Sequence, residues 1–264
     1  MYDFSYKNAS SVDDAINSHA SSEDGTFLAG GQTLLPTLKQ RLAQPSDLID
    51  LSGIGSLSSI EVGQFVKVGA MTTHAEVASS EEIQKALPAL SDLAEGIGDP
   101  QVRNRGTIGG SVANNDPAAD YPAVCLALNA IITTNKREIT ADDFFTGMFD
   151  TALDEGELIT SISFPIPEKA AYMKFPNPAS RYALVGVFVA KMSSGARVAV
   201  TGAGEDGVFR ARNLEDALNK HFSAESLNDL SISPDGLLSD IHAQNDYRAS
   251  LVVTMAKRAV TAAS

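Results

Sequence analysis

The chain of 264 residues has one cysteine, no tryptophan and four histidines. One thiol closes no intrachain disulfide, and it supplies at most one of the roughly four protein ligands that an iron–sulfur cluster needs. Any such cluster working with this chain must therefore sit on another chain. Cys125 lies in the apolar run Ala123 to Leu128, where a buried structural thiol is expected rather than a reactive one. Positive charge is also scarce. The 20 Lys and Arg against 33 Asp and Glu leave a formal net charge of −13, which repels nucleic acid and anionic membranes, and no basic run offsets it. No apolar run approaches the roughly 20 residues that span a bilayer. The opening residues, MYDFSYKNASS, lack the basic flank and apolar centre of a secretory signal, so a cytoplasmic protein is expected.

What the chain does have is a 44% hydrophobic composition, enough for a full core, and two adjacent glycine pairs. Gly30 and Gly31 stand in LAGGQTL, residues Leu28 to Leu34, and Gly109 and Gly110 stand in TIGGSVANNDPAADYPA, residues Thr107 to Ala123. Each pair follows apolar residues and precedes an amide or hydroxyl side chain. Paired glycines permit φ > 0 and remove the Cβ that would hold a ligand away from the amides. Two such loops on one face form a concave set of donors, an arrangement that binds the phosphates of a nucleotide. The competing reading of either pair alone is a tight turn.

The first pair reads as strand, loop, helix. Thr26 to Ala29 is apolar, and Leu34, Leu35, Leu38 and Leu42 recur at helical spacing, with Pro36 early enough to be tolerated. That places Gln32 and Thr33 at a helix entrance, where free N–H groups favour phosphate. Thr72 and Thr73 are candidate caps for a helix containing His74, which reads as a capping or packing residue because no second metal ligand lies nearby. Arg103 and Arg105 are candidate counter-charges, although amides are the better phosphate donors here. Asp120 precedes Tyr121-Pro122, so it reads both as a helix N-cap and as a ligand contact.

Phe144, Phe145, Met148 and Phe149 fit the buried face of a short helix better than an aromatic cofactor box. Gly202, Gly204 and Gly207 match the spacing of a Rossmann fingerprint after a strand, but that fingerprint needs a helix opening at the glycines. Val208 to Arg210 is instead strand-like, so a hairpin is expected, with a helix near Asn213 whose Asp216 suggests a capping box. Strands alternating with short helices indicate an α+β protein.

Several ordered segments together carry a family resemblance. AGGQTL, VGAMTTHAEVA (68–78), IGDPQVRNRG (97–106), TIGGSVANNDPAAD, ADDFFTGMFDTALDEGELITSISFP (141–165) and SRYALVGVFVA (180–190) resemble the FAD-binding, or medium, subunit of the molybdenum hydroxylases. This is the family of xanthine dehydrogenase, carbon monoxide dehydrogenase and N-heterocycle dehydrogenases. The resemblance implies a two-subdomain FAD-binding fold of the vanillyl-alcohol-oxidase type, spanning 1–55 and 56–168. It also implies a small C-terminal domain of antiparallel sheet and helices over 169–264.

The resemblance further implies non-covalent FAD, with Leu28, Ala29, Gly30, Gly31, Gln32, Thr33 and Leu34 and with Thr107, Ile108, Gly109, Gly110 and Ser111 at the pyrophosphate and ribityl region. Ile97 and Asp120 match further nucleotide contacts, and Ile159 lies near a ring of the cofactor. Lys174 matches a flavin-contacting lysine. Tyr182 matches a tyrosine that covers the flavin ring in the carbon monoxide dehydrogenase branch. The molybdopterin cofactor and [2Fe–2S] clusters would lie on a large and a small partner subunit, in a heterotrimer that is often doubled. The chain would then carry electrons from the clusters through FAD to an external acceptor. Two other readings stay open, a self-contained flavin oxidoreductase of the same superfamily and a non-catalytic nucleotide-binding assembly module.

Overall fold

The computed structural model describes residues 1–263. β1 (Ser5–Asn8), α1 (Val12–Ser21), β2 (Gly25–Leu28), α2 (Leu34–Lys39) and β3 (Asp47–Asp50) open the chain, and the strands form a parallel sheet in the order β1-β3-β2. Parallel neighbours require a crossover, and α1 supplies the first. Its start is set by Ser11, whose Oγ accepts from Asp14 N at 3.0 Å, and by the acids Asp13 and Asp14 in the first turn, which suit the positive end of a helix. Ile49, Leu51 and Leu57 pack with Ala9 and Ala15 in a small core. α2 is shorter than the leucine spacing predicts. The chain turns out of it at Arg41, at φ 61°, and leaves Leu42 74% exposed.

β4 (Ile60–Val62) and β5 (Phe65–Gly69) lead into a run of helices: α3 (His74–Ser79), α4 (Glu81–Ala86), α5 (Pro88–Glu95), α6 (Pro100–Arg103), α7 (Ile108–Asn114) and α8 (Tyr121–Leu128). β6 (Ile131–Thr134), β7 (Glu138–Thr140), α9 (Ala141–Phe144), β8 (Phe145–Gly147), β9 (Asp150–Thr151) and β10 (Ile159–Pro165) follow. The antiparallel sheet runs β4-β5-β10-β6-β7. Thr73 caps α3 in a reciprocal box with Glu76, so the expected cap is there. The four aromatic and sulfur side chains from Phe144 to Phe149 do not share a buried face. α9 ends at Phe144, which is fully buried, and the chain turns into the β8–β9 hairpin, leaving Met148 and Phe149 43% and 57% exposed.

β11 (Lys169–Pro176), β12 (Ala183–Met192), β13 (Gly195–Thr201) and β14 (Phe209–Arg210) form a four-stranded antiparallel sheet, followed by α10 (Arg212–Lys220) and α11 (Asn245–Ala262). β12 is apolar on both faces because both are covered. Val185, Val187 and Val189 join the core with Leu214, Val252 and Met255, whereas Phe188 and Ala190 join the core around α8. Wedged between these layers, α8 buries all eight of its residues, Cys125 among them. The glycines at 202, 204 and 207 connect β13 to its hairpin partner β14, with φ of 80° at Gly202 and 98° at Gly207. The hairpin expectation is thus met. The capping box at Asn213 is not formed: α10 begins at Arg212 after Ala211, and Asn213 Nδ2 donates to Ser231 O at 2.9 Å instead.

Candidate cofactor site

A cavity of about 630 Å³ lies where the first sheet, the second sheet with its helices, and the loop before β12 meet. This volume falls within the range of small-molecule and cofactor sites. Both glycine pairs line it, although nearly eighty residues of sequence separate them.

The first pair forms the turn between β2 and α2. Gly30 has no room for a side chain, because a Cβ there would lie 2.0 Å from Arg105 O. Gly31 has φ +71°, a conformation that glycine adopts without the Cβ penalty. The N–H groups of Gly30, Gly31, Gln32 and Thr33 donate to no protein acceptor among the described residues, while all four residues line the cavity. Leu28 does not line it. Its side chain packs beneath the turn, 3.2 Å from where a Cβ on Gly31 would stand.

The second pair is not a loop. Gly109 and Gly110 form the first turn of α7, and their amides are taken: Gly109 N donates to Ala70 O at 2.8 Å, and Gly110 N donates to the Thr107 hydroxyl at 3.2 Å. Ile108 N and Ser111 N are likewise bound, to Thr72 O and Thr107 O. The expected second set of open donors is therefore absent, because the Thr107 cap and the docking of this segment against Ala70 to His74 consume it. What this segment offers the cavity is a smooth wall and the Ser111 hydroxyl, which bonds to no protein group among the described residues. Ile108 points away into the core, fully buried.

On one side the cavity is lined by Phe27, Leu51, Met71, Leu158 and Ile159, and on the side facing the C-terminal sheet by Ile97, Asp116, Asp120 and Tyr182. Asp120 occupies the N-cap position of α8 as expected, but its backbone is already helical and its side chain makes no cap bond. Its carboxylate instead accepts from Tyr172 Oη at 2.5 Å and from Lys174 Nζ at 3.1 Å. Lys174 consequently sits behind Asp120 and does not line the cavity. Its ammonium also holds Gly96 O at 2.8 Å. Arg103 and Arg181 hold the next two carbonyls, Ile97 O and Gly98 O. Arg103 is thus a structural residue, also paired with Glu95 at 3.0 Å, and Arg105 is exposed.

Two further cavity residues carry titratable groups, Asp116, which no motif singles out, and His74. Asp116 makes one hydrogen bond, from Ala118 N, and burial pushes its carboxyl above the usual carboxylate range. His74 is 5% exposed, and burial, with the nearby Arg103 charge, holds its imidazole down to about 4. It abuts Gly106, where a Cβ would lie 2.5 Å from Nε2. Its ring also lies 5.3 Å from that of Tyr121, centroid to centroid, so it packs as expected of a packing residue.

Fold and cavity together define an α+β nucleotide-cofactor-binding protein. The family of FAD binding domains in molybdopterin dehydrogenase matches residues 2–167. Over 98% of this chain and 96% of the other, the sequence is 35% identical to the nicotine 6-hydroxylase medium subunit of Paenarthrobacter nicotinovorans. It is 36% identical to the carbon monoxide dehydrogenase medium chain of Hydrogenophaga pseudoflava, over 91% of this chain and 89% of that one. The structure resembles quinoline 2-oxidoreductase from Pseudomonas putida 86 with a TM-score of 0.88 at 30% identity, covering 98% of this chain and 96% of that chain. The chain belongs to the FAD-binding domain family of the molybdopterin dehydrogenases, and it is an oxidoreductase flavoprotein of medium-subunit type.

Proposed function

We propose that this chain is the electron-transferring subunit of a heterotrimeric molybdenum hydroxylase, receiving electrons from [2Fe–2S] clusters on a small partner and delivering them from FAD to an external acceptor. A large partner would hold the molybdopterin cofactor and the organic substrate, and the trimer would pair into a dimer of heterotrimers in the cytoplasm. The observation that carries this reading is the row of unpaired amides from Gly30 to Thr33 along a cavity of cofactor size, within a chain whose one cysteine leaves cluster chemistry to others.

The residues fit FAD on their own chemistry. Unpaired N–H groups at a turn before a helix suit a pyrophosphate, and Ser111 can donate a further hydrogen bond. In this reading Ala29, Gly30, Gly31, Gln32, Thr33 and Leu34 face the pyrophosphate across from Thr107, Gly109, Gly110 and Ser111. Ile97, Asp120 and Tyr182 border one ring system, and Ile159 borders the other. Leu28, Ile108 and Lys174 act from behind the wall. When bound, FAD supplies two-electron, two-proton redox chemistry that no side chain here provides. The protein's own part is to orient it, exclude water from the apolar side and set the charge around it. The three larger sheets support the division 1–55, 56–168 and 169–264.

Co-expression with neighbouring molybdopterin and iron–sulfur chains tests the reading. About one acid-releasable FAD per chain is expected, with substrate-driven dye reduction in the assembled complex and none from this chain alone. Covalent flavin, FMN, or substrate oxidation by the lone chain would overturn it.

A further inference from the structure

Tyr172 lies on β11, outside the cavity, and its ring packs 6.3 Å from Phe188 in the core. Its hydroxyl nevertheless reaches Asp120, which is 5% exposed and lines the cavity. The strand opposite makes room for that contact. Gly186 pairs with Lys174, and a Cβ on it would lie 2.2 Å from Tyr172 Oη. Asp120 is thus held by two donors from one strand, Tyr172 and Lys174, and neither faces the cavity.

We infer that Tyr172 is a positioning residue for the cofactor: its hydroxyl holds the Asp120 carboxyl group facing the cavity, with the Lys174 ammonium behind it. The inference rests on the assignment of this cavity to FAD. Burial pushes the Asp120 carboxyl above its ordinary value, and the Lys174 charge and the Tyr172 hydrogen bond oppose that rise without cancelling it. Removing the hydroxyl leaves burial opposed by Lys174 alone. The other groups near Asp120 do not compensate. Tyr121 and Tyr182 feel its negative charge as an obstacle to their own ionisation, and Asp116 adds a second negative charge at Tyr182. Once Asp120 takes a proton, the cavity wall loses a charged acceptor, and the Lys174 charge behind that wall is no longer balanced.

The test uses the full chain in its assembled complex, comparing wild type with Tyr172→Phe, which keeps the ring against Phe188 and removes only the hydroxyl. Bound FAD is followed by absorbance from pH 8.5 to 5, with circular dichroism on the same samples. A hydrogen bond to a charged group of ordinary strength predicts that acid release of FAD moves up by about one to two pH units. Above that midpoint the FAD content is expected to equal wild type. Lys174→Met should move the midpoint in the same direction. At pH 6 the flavin midpoint potential of Tyr172→Phe should lie above wild type, since an unbalanced positive charge favours the reduced cofactor. Coincident release curves overturn the inference. So does FAD loss that is equal at every pH, because the hydroxyl would then serve packing rather than the carboxylate. A wild-type complex without FAD, or a Gly31→Val complex with full FAD, defeats the site assignment instead.

Discussion

The two glycine pairs look alike in the sequence and are built for different purposes. Gly30-Gly31 is an irregular turn with one positive φ and unpaired amides along the cavity, whereas Gly109-Gly110 is a helical turn whose amides are already bound. Within each pair the two glycines also differ. Gly30 and Gly109 are small because backbone lies against them, Arg105 O in one case and Ala70 in the other. Gly31 is glycine for its dihedral, and Gly110 meets nothing nearer than the Thr107 hydroxyl at 3.0 Å and the Ala29 Cβ at 3.3 Å. The lesson is that a glycine beside a ligand site need not be glycine because of the ligand.

The largest effect is expected at Gly30. Gly30→Val forces a side chain into Arg105 O, where no flexible group can yield, and a loss of about 3 kcal/mol or more is expected. Thermal unfolding would show it, and a stable Gly30→Val protein would mean that the two segments are not docked as described.

His74, against Gly106 between the two pairs, supplies the next largest effect through pH. Its folded value of about 4 lies below the ordinary imidazole value of about 6.5, so between those values the unfolded chain binds a proton that the folded chain does not. Stability therefore falls as pH drops through that window, by about 3 kcal/mol in all. Denaturant titrations of wild type and His74→Asn at pH 7 and pH 4 isolate this contribution, because the carboxylates are common to both proteins. An equal acid loss in the two would remove His74 from the account.

Gly109→Ala should cost roughly 1 to 3 kcal/mol, since its Cβ would stand 2.5 Å from that of Ala70. Folded molecules should still carry FAD, and an empty but stable variant would move Gly109 from packing to binding. The smallest effect on folding, and the sharpest separation, is expected at Gly110→Asp. An aspartate in the first turn of a helix is well tolerated, so stability should stay within about 0.5 kcal/mol. A negative charge on the cavity wall opposes phosphate, so FAD should be lost. Full FAD content in this variant would displace the pyrophosphate from α7.

Much of the local structure was legible because it depends on neighbours in sequence. Ser11 with Asp13 and Asp14, Thr73 with Glu76, Pro88 at the start of α5, and the glycine hairpin after Thr201 are all set by side chains within a few positions of the backbone they serve. The leucine spacing past Lys39 misled because positive φ at Arg41 ends the helix, and Asn213 misled because a distant carbonyl at Ser231 claims its side chain. Of the site residues, those around the first glycine pair could be read from composition and order. The missed residues Asp116, Met71 and Phe27 carry no signal in spacing, since they reach the cavity only through packing.

Composition alone determined that this chain cannot by itself hold an iron–sulfur cluster, since one thiol cannot ligate one. The order of strand, Gly-Gly and helix determined that a turn with free amides forms after β2. Tertiary structure decided which amides stay free. The Gly109 N–H is quenched by Ala70, thirty-nine positions earlier, and the Lys174 charge is turned from the cavity by Asp120, fifty-four positions earlier. A polar group's availability depends on whether folding brings it a partner, and partners that distant in sequence are chosen by the packing of sheets rather than by local pattern.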